Sequence, residues 1–477
     1  MSSVFVWFAA AATTISAAPA AAQSYRGQLE HRLAEFAQQI YFPVGSKRLT
    51  VIGDSINATN TPNRMSAGYR DAWHVPWNGW VVHADSGAAD MGYLNSQNLG
   101  SGYAVVWDPG EVTGGGQIHI NPVRMRESNY ARPPVPGMLL NDGMLLSSST
   151  SRFPAGDLFT HSHVTARVLF YQGTNTLPSV NVRGLRGSIT AVERTVFHAT
   201  GQTDRIVGHD LDLGFMSGSP RIQIYAPAGI APTRMWDFWR VDVLGVLYRS
   251  SAPSGVQMSF ISHGGWRTTD HISPYRFSDK SLREYYSAIG APTHLMLWLG
   301  QNQTNQEAND LVAGNNTSYK NNLRAVMNRH EAVIASLGQT PPRWLLVSQF
   351  KTGYDPPVHE LMAQTMYELS LENPRVSFLN LYELAGGQSF DNDAYTTDGI
   401  HPNLAGSVHL ATLMDSMMRS TVRCPADLDS SGFVDHDDLT LFLVLFEAGD
   451  ALADIDSSGF VDNDDRDAFN AAYDAGC

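Results

Sequence analysis

Short apolar segments that end in polar turns are the feature that most constrains the fold of this chain. They are VIGDS (51–55), VQMSFISHGG (256–265), THLMLWLGQN (293–302) and RWLLVSQF (343–350), and helical patterns such as SYKNNLRAVMNRHEAVIASL (318–337) alternate with them. Strands that alternate with helices form a parallel sheet with helices on both faces. Because the polar turns follow the carboxyl ends of these strands, we expect them to converge on one crevice.

The first of these turns presents a serine, Ser55, and a later segment offers a base for it. A hydroxyl becomes a good nucleophile only when a base accepts its proton, and the usual base is a histidine oriented by a carboxylate. In TTDGIHPNLAG, Asp398 precedes His401 by three residues, just before a helical pattern. We therefore predict a Ser55–His401–Asp398 triad. His263 is the weaker candidate for the base, and a helix-capping Asp398 beside a loop histidine is the structural alternative.

Four sequence blocks in this order resemble those of the SGNH or GDSL hydrolase family. The blocks are Gly53-Asp54-Ser55, Gly265, Gly300-x-Asn302 and Asp398-x-x-His401. The resemblance implies an α/β fold with a three-layer, flavodoxin-like parallel sheet. Gln303 stands where the family usually has Asp, and Gly87 is a rival for the glycine of the second block.

The family resemblance also implies the role of each block residue. Ser55 would be the nucleophile, His401 the general base and Asp398 the residue that orients the base. The oxyanion hole would consist of the backbone N–H groups of Ser55 and Gly265 and the side-chain amide of Asn302. No cofactor is expected for this chemistry.

A long segment interrupts the predicted catalytic domain, which comprises residues 23–100 and 251–422. Residues 101–250 contain short alternating apolar runs broken by Gly and Pro, a pattern typical of antiparallel β structure. We predict an inserted β-sandwich-like domain there. The alternative is a set of enlarged active-site loops.

The C-terminal segment, residues 424–477, repeats an acidic twelve-residue loop. DLDSSGFVDHDD (427–438) and DIDSSGFVDNDD (454–465) both place oxygen-bearing side chains at loop positions 1, 3, 5, 9 and 12, with glycine at position 6. Ca²⁺ binds several oxygens at once, including a backbone carbonyl at position 7, and therefore suits this pattern. The predicted ligands are Asp427, Asp429, Ser431, Phe433 (backbone), Asp435 and Asp438 in the first loop, and Asp454, Asp456, Ser458, Phe460 (backbone), Asp462 and Asp465 in the second.

A short amphipathic helical pattern follows each loop, and the duplicated unit resembles the type I dockerin module of secreted polysaccharide-processing enzymes. The resemblance implies a small EF-hand-like α module that attaches to a cohesin-like protein. Serine at loop position 5, where the family usually has Asp or Asn, is a departure. Cys424 and Cys477 bracket the module, and we predict a disulfide between them, with two unrelated thiols as the alternative.

The charge distribution and the N-terminal segment indicate which partners and which compartment suit the protein. The formal net charge is −14, of which residues 424–477 carry −13 (thirteen Asp and one Glu against one Arg), so −1 remains for the rest. No basic stripe with interleaved aromatic residues supports a nucleic-acid role. The apolar N-terminus predicts a signal peptide over residues 1–22, with an apolar helix or membrane anchor as the alternative. No later segment is long and apolar enough to span a bilayer, so we expect a secreted or periplasmic chain.

The sequence thus predicts a secreted serine esterase that hydrolyses acyl esters, specifically O-acetyl groups on an extracellular polysaccharide. The alternatives are a lipolytic or general carboxylesterase, and a non-catalytic carbohydrate-binding or scaffold protein. Trp73, Trp77 and Trp80 are candidates for a surface that stacks on a sugar ring, or for core packing. His161 and His163 share a face of a predicted strand but lack a third ligand, so no metal site is predicted there.

Overall fold

The structure is a computed structural model of the chain. It describes residues 28–57, 65–83, 103–106, 123–127, 144–147, 149–150, 153–154, 162–172, 179–186, 189–197, 205–216, 220–225, 240–262, 265–274, 278–422, 424–429, 434–455, 458 and 460–475. The strands are β1 (Glu30–His31), β2 (Ser46–Gly53), β3 (Trp77–His83), β4 (Tyr103–Val106), β5 (Val123–Glu127), β6 (Met144–Ser147), β7 (Ser149–Thr150), β8 (Phe153–Pro154), β9 (His163–Gln172), β10 (Ser179–Arg186), β11 (Ile189–Phe197), β12 (Arg205–Phe215), β13 (Pro220–Tyr225), β14 (Arg240–Ser250), β15 (Gly255–Ser262), β16 (His294–Trp298), β17 (Arg343–Val347) and β18 (Val376–Leu379). The helices are α1 (Leu33–Tyr41), α2 (Met65–Ala72), α3 (Thr268–Ile272), α4 (Asp279–Ile289), α5 (Asn305–Val312), α6 (Thr317–Ser336), α7 (Pro356–Glu372), α8 (Leu381–Leu384), α9 (Asn392–Tyr395), α10 (Leu404–Thr421), α11 (His436–Ala448) and α12 (Asn463–Ala475).

The centre of the larger sheet is parallel. Strands β3, β15, β2, β16, β17 and β18 lie side by side in that order, and each neighbouring pair is parallel. Without β3, the order is the 2-1-3-4-5 arrangement of flavodoxin-like sheets. Strands β16 and β18 are buried along their whole length, as expected for parallel strands covered by helices on both faces. The predicted mixed α/β fold with a parallel sheet is therefore confirmed.

Alternate residues of the parallel strands pack into two separate cores. Val51 and Met296 face a cluster that includes residues of α1, α2 and α10. Ile52 and Leu297 face the opposite cluster, which includes residues of α4, α6 and α7. Because successive side chains of a strand point to opposite faces, each parallel strand contributes to both cores. This arrangement fixes the sheet rigidly between its two helical layers.

The described elements between residues 101 and 250 are strands, as the alternating pattern predicts. Strands β4, β5, β9, β12 and β14 continue the larger sheet, because β14 pairs antiparallel with β3. Strands β6, β10, β11 and β13 form a second sheet of four strands. Leu213 of β12 fills the space that a side chain at Gly184 of β10 would need, so the two sheets are in contact. The β-rich segment therefore shares a sheet with the parallel strands, and its predicted domain limits stay predictions.

Helices α2 and α10 approach each other most tightly at Gly68. A Cβ atom at this position would overlap the carbonyl oxygen of Ser407 in α10. We expect Gly68→Ala to lower the free energy of unfolding by about 1–3 kcal/mol, because a backbone oxygen cannot move aside as a side chain can. In an open helix the same change would stabilise by roughly 0.5–1 kcal/mol.

Thermal unfolding measures this effect, with Gly353→Ala as the matched control. No atom lies within 4 Å of the position that a Cβ atom at Gly353 would occupy. The midpoint of thermal unfolding should therefore fall for Gly68→Ala and stay unchanged for Gly353→Ala. An unchanged midpoint for Gly68→Ala would contradict the close packing of α2 on α10.

The C-terminal residues form a small helical unit with a core of its own. Phe442 of α11 and Phe469 of α12 stack with ring centroids 4.0 Å apart. Among the described residues of this unit, Ala426 and Ala453 join them as fully buried apolar residues, and ten partly buried apolar residues pack around the four. A core of this size is small, as is usual for a unit of about fifty residues.

At the other end of the chain, the predicted signal peptide over residues 1–22 lies outside the described residues. Within the part of the chain that the structure does describe, no helix has the length and apolarity needed to cross a membrane.

Candidate active site

Ser55 lies in a buried turn at the carboxyl end of β2. The residues from Val51 to Asn57 are all buried, and Ser55 retains 8% of its surface. The turn is closed by a hydrogen bond from the backbone N–H of Asn57 to the carbonyl oxygen of Asp54, 3.2 Å long. The Asp54 carboxylate accepts a second bond from the N–H of Ile56 at 3.0 Å. These hydrogen bonds hold the serine on a well-defined turn at the carboxyl end of β2, a central strand of the sheet.

His401 and Asp398 occupy the loop between α9 and α10, and this loop brings them to Ser55. The His401 Nε2 atom lies 2.9 Å from the Ser55 Oγ atom, across a sequence separation of 346 residues. The His401 Nδ1 atom lies 2.6 Å from the Asp398 Oδ2 atom. A carboxylate only accepts hydrogen bonds, so Nδ1 is the donor and Nε2 is left to accept the serine proton. The structure therefore brings the three predicted triad residues together.

The other oxygen of Asp398 holds the loop itself in shape. Asp398 Oδ1 accepts hydrogen bonds from the backbone N–H of His401 at 2.8 Å and of Ile400 at 3.1 Å. Partial burial raises the pKa of the Asp398 carboxyl, but these bonds, the bond from the His401 ring and the charge of that ring lower it more. The pKa of Asp398 consequently lies below its ordinary value, and the group is ionised at neutral pH.

Three neighbouring strands end at the same level of the sheet, and a predicted site loop follows each of them. Gly53 of β2 is in register with Ser262 of β15 on one side and with Trp298 of β16 on the other. The loop after β15 contains Gly265, and the loop after β16 contains Asn302. Parallel register therefore places the serine turn between the two loops predicted to form the oxyanion hole.

Each of the two loops has a feature that suits an oxyanion hole. Gly265 has a φ angle of +77° and is exposed, and apart from its chain neighbours no described residue has an atom within 4 Å of the position that a Cβ atom would occupy. The Nδ2 atom of Asn302 is buried, yet it finds no hydrogen-bond partner among the described residues. A buried amide without a partner costs free energy, and such groups are found where a ligand or transition state supplies the acceptor.

The loop that carries Asn302 is fixed to the serine turn and to two tyrosines. Asp54 accepts a hydrogen bond from the backbone N–H of Gln301 at 3.2 Å, which joins the first block to the third. The Tyr319 hydroxyl donates to the Leu299 carbonyl at 2.6 Å, and the Tyr354 hydroxyl donates to the Gln301 carbonyl at 2.9 Å. Sequence reasoning missed these supports, because their partners are distant in sequence and a single buried Asp or Tyr carries no local signal.

Of the other candidates from the sequence, some lie outside the described residues and others are buried in the core. His263, the weaker candidate for the base, and Gly87, the rival glycine, lie outside the described residues. Trp73 and Trp80 are buried in the core, which excludes them from a sugar-stacking surface, and only Trp77 is partly exposed. The indole ring has a large apolar surface, and its burial in a core is therefore favourable.

Of the two histidines considered as metal ligands, the structure describes only His163. His161 is outside the described residues, and His163 lies 3.2 Å from the carboxylate of Asp212 on a partly exposed surface. In the described part of the chain, the residues that could together hold a metal ion are Asp427, Asp429 and Asp438, which offer ligand oxygens within 4.8 Å of one another. This carboxylate set suits a hard cation such as Ca²⁺.

The second acidic loop resembles the first in the residues that can be compared. Asp438 and Asp465, at loop position 12, are both fully buried at the start of a helix. Asp438 Oδ2 accepts from the N–H of Asp435 at 3.0 Å, and Asp465 Oδ2 accepts from the N–H of Asp462 at 2.8 Å. The structure places Asp454 and Ser458 in the second loop, with Ser458 N–H donating to Asp454 at 2.9 Å, and leaves Phe460 exposed. The remaining predicted ligands, namely Ser431, Phe433 and Asp456, lie outside the described residues.

The predicted disulfide can be followed at one end. Cys424 is disulfide-bonded. Cys477, the other cysteine of the chain, lies outside the described residues, so the pairing of the two stays a prediction.

Fold and site together define an α/β protein whose parallel sheet carries a Ser–His–Asp arrangement at its carboxyl edge. No family model and no curated protein matches the sequence. Among solved structures, the chain is similar to a peptidoglycan O-acetylesterase, at 12% identity over 82% of this chain and 96% of that chain, with a TM-score of 0.43. It is also similar to Axe2, an acetyl-xylooligosaccharide esterase from Geobacillus Stearmophilus (14% identity, 34% of this chain and 73% of that chain, TM-score 0.24). A further similar structure is a carbohydrate esterase family 3 protein from Talaromyces cellulolyticus (15% identity, 41% of this chain and 77% of that chain, TM-score 0.25).

At such low identities and TM-scores, the activity of this chain has to be argued from its own site.

Proposed function

We propose that the protein is a secreted serine esterase that hydrolyses acyl esters, specifically O-acetyl groups of an extracellular polysaccharide. The observation that carries this proposal is the position of the His401 ring, 2.9 Å from the Ser55 hydroxyl on one side and 2.6 Å from the Asp398 carboxylate on the other. This geometry is what activation of a serine requires.

In the first half of the reaction, the Ser55 Oγ atom attacks the ester carbonyl carbon while His401 Nε2 accepts the hydroxyl proton. The tetrahedral intermediate then collapses, the bond between carbon and the alcohol oxygen breaks, and His401 returns the proton to that oxygen. In the second half, water attacks the acyl-enzyme and His401 accepts its proton. The acid then leaves, and the proton returns to Ser55.

The negative charge that develops on the carbonyl oxygen needs hydrogen-bond donors fixed in advance. We assign the backbone N–H groups of Ser55 and Gly265 and the Asn302 side-chain amide to this role. Within the described part of the chain, the buried Nδ2 atom of Asn302 has no hydrogen-bond partner and no neighbour crowds the Cβ position at Gly265, and both observations support the assignment. Donors that are already desolvated and oriented stabilise the transition state more than the substrate.

The exposed residues beside the triad suit a large substrate. The Asp398 side chain is 51% exposed and Gly265 is exposed as well, which suits the approach of a polymer on this side of the site. The acyl group in this proposal is a short one such as acetyl, and the comparison of acyl chain lengths below tests that choice.

Two assays test this proposal in sequence. Hydrolysis of p-nitrophenyl acetate is compared with that of p-nitrophenyl esters of longer acids, and acetate release is then measured on a panel of acetylated glycans. We expect turnover to fall as the acyl chain lengthens, and acetate to be released from at least one polysaccharide. A preference for long acyl chains would favour a lipolytic enzyme, and no turnover of any ester would favour a non-catalytic binding or scaffold protein.

The Asp398→Asn variant tests the role assigned to the carboxylate. The amide oxygen should stay with the backbone N–H groups of Ile400 and His401, because both need an acceptor. The amide NH₂ would then face His401 Nδ1 and force that nitrogen to accept, which leaves Nε2 protonated and unable to take the serine proton. We expect kcat/KM for p-nitrophenyl acetate to fall roughly 10³-fold.

Asp391→Asn is the matched control for this variant. Asp391 is an exposed aspartate of the same region, and it caps α9 by accepting from the N–H of Ala394 at 3.1 Å. Asparagine caps helices as well as aspartate does, so this variant should keep full activity. An Asp398→Asn enzyme that is as fast as this control would remove Asp398 from the mechanism.

We also propose that residues 424–477 form a calcium-binding module that attaches the enzyme to a cohesin-like protein outside the cell. The proposal draws on the convergent oxygens of Asp427, Asp429 and Asp438 and on the disulfide-bonded Cys424, which suits an oxidising compartment. The residues of both loops would supply oxygen ligands to the ions, and the ions would offset the negative charge of the loops. No catalytic step involves the ions. Exposed Leu443 and Val444 on α11 offer an apolar surface for a partner. Binding to immobilised cohesin domains, with and without Ca²⁺, tests the attachment.

A further inference from the structure

Glu307, near the start of α5, is a fully buried carboxylate that the mechanism above does not use. One of its oxygens, Oε2, accepts from the backbone N–H of Thr304 at 2.9 Å and from the Thr304 hydroxyl at 3.0 Å. Thr304 follows Asn302 by two residues and is the N-cap of α5. This half of the carboxylate therefore holds the loop that carries the Asn302 amide.

The other oxygen of Glu307 reaches a different element. Oε1 accepts from the hydroxyl of Thr268 and from the Asn322 side-chain amide, the latter at 2.9 Å. Thr268 is the first residue of α3 and lies three residues after Gly265. This half of the carboxylate therefore holds the helix that begins directly behind the Gly265 turn.

One carboxylate thus accepts hydrogen bonds from both loops that we assign to the oxyanion hole. Its four donors are uncharged and occupy all of its acceptor positions, so no oxygen of the carboxylate is left without a hydrogen bond in its buried site. Burial and the nearby Asp54 and Glu307 raise the pKa of Tyr354 to about 12. Tyr354 also donates to the carbonyl oxygen of Gln301, next to Asn302.

We infer that Glu307 is a positioning residue that sets the distance between the Gly265 N–H and the Asn302 amide, acting through Thr268 and Thr304. The inference rests on the proposed esterase function, because only a reaction with an oxyanion gives this distance a role.

Glu307→Gln is the sharpest single change, because it keeps the shape and removes the charge. Each carboxylate oxygen faces an N–H donor, from Thr304 on one side and from Asn322 on the other. The backbone N–H of Thr304 cannot turn, so the glutamine oxygen should stay with it and the NH₂ group should face Thr268 and Asn322. Both of these side chains must then turn to accept, and the α3 side loses the hydrogen bonds that anchor it. A displacement of either loop moves an oxyanion donor away from the transition state.

We expect Glu307→Gln to lower kcat for p-nitrophenyl acetate about 10- to 100-fold with KM within about 2-fold, because oxyanion donors act mainly in the transition state. Thr268→Val removes one donor hydroxyl at equal size and should also lower kcat, by a smaller factor. This variant provides the test if Glu307→Gln folds poorly.

Asp415→Asn is the matched control: this buried carboxylate accepts from Tyr41 and His74, away from both loops. It should reduce the thermal stability and leave kcat unchanged.

A double-mutant cycle with Asn302→Ala separates positioning from general stability. If Glu307 acts through the oxyanion hole, Glu307→Gln should cost much less in the Asn302→Ala background than in the wild type, since the amide it positions is gone. The inference would be overturned if Glu307→Gln lowered kcat by the same factor in both backgrounds, or if it left kcat normal. In either case, Ser55-dependent turnover by the wild type would still uphold the esterase function. A wild-type chain without Ser55-dependent turnover would overturn both.

Discussion

Ser55→Ala should reduce ester hydrolysis by about 10⁴-fold or more, because the variant lacks the atom that forms the acyl-enzyme. The fold should be retained, since alanine fits the turn at the end of β2 and the bonds that close this turn come from Asp54 and Asn57. The rate of p-nitrophenyl acetate hydrolysis measures the loss, and circular dichroism with thermal unfolding checks the fold. A fluorophosphonate probe, which reacts covalently with activated serines, should label the wild type at one site and the variant not at all.

Ser66→Ala is the matched control for this experiment. Ser66 is a buried serine of α2, and its hydroxyl has no hydrogen-bond partner in the described part of the chain. Removing this hydroxyl should change neither the rate nor the labelling. Esterase activity that persists in Ser55→Ala would show that another residue is the nucleophile and would end the assignment of the triad.

The parallel half of the fold could be predicted because its signals are local. Strands covered on both faces are continuous apolar runs, as in His294–Trp298, and helical periodicity between them leaves a parallel sheet as the simplest connection. The way in which the β-rich segment continues this sheet could not be predicted. The pairing of β14 with β3 and β9 depends on contacts between distant residues, whereas alternation indicates only that a segment is extended.

The candidate site shows the same division between local and distant information. The residues of the proposed triad lie in short turns with recognisable spacing, so a sequence motif was enough to predict that they come together. The supporting hydrogen bond from Gln301 to Asp54 joins residues 247 positions apart, and no spacing rule reaches that far. Glu307 lies between these cases: the Thr304-x-x-Glu307 capping box is a local signal, but the contact of Glu307 with Thr268 is not.

The C-terminal module combines a very small core with a high density of negative charge. Asp427, Asp429 and Asp438 bring carboxylate oxygens within 4.8 Å of one another, which is a strongly repulsive arrangement without a cation. Among the described residues of the unit, the fully buried apolar ones are Ala426, Phe442, Ala453 and Phe469, so we expect a core too small to hold the acidic loops together without a cation. The α/β part of the chain, by contrast, has two large cores of its own.

Removal of Ca²⁺ should therefore unfold residues 424–477 and leave the esterase intact. We expect calorimetry to show a transition of the module that disappears in EDTA and returns with Ca²⁺ but not with Mg²⁺, because Mg²⁺ demands a smaller octahedral site. Asp438→Asn should weaken the calcium dependence of this transition, whereas the neighbouring exposed Asp437→Asn should not, since Asp438 is the buried residue at loop position 12. Activity on p-nitrophenyl acetate should survive chelation throughout, because Ser55, His401 and Asp398 use no ion. A module transition that is indifferent to Ca²⁺ would refute the calcium sites, and activity lost together with the metal would place the cation in the active site instead.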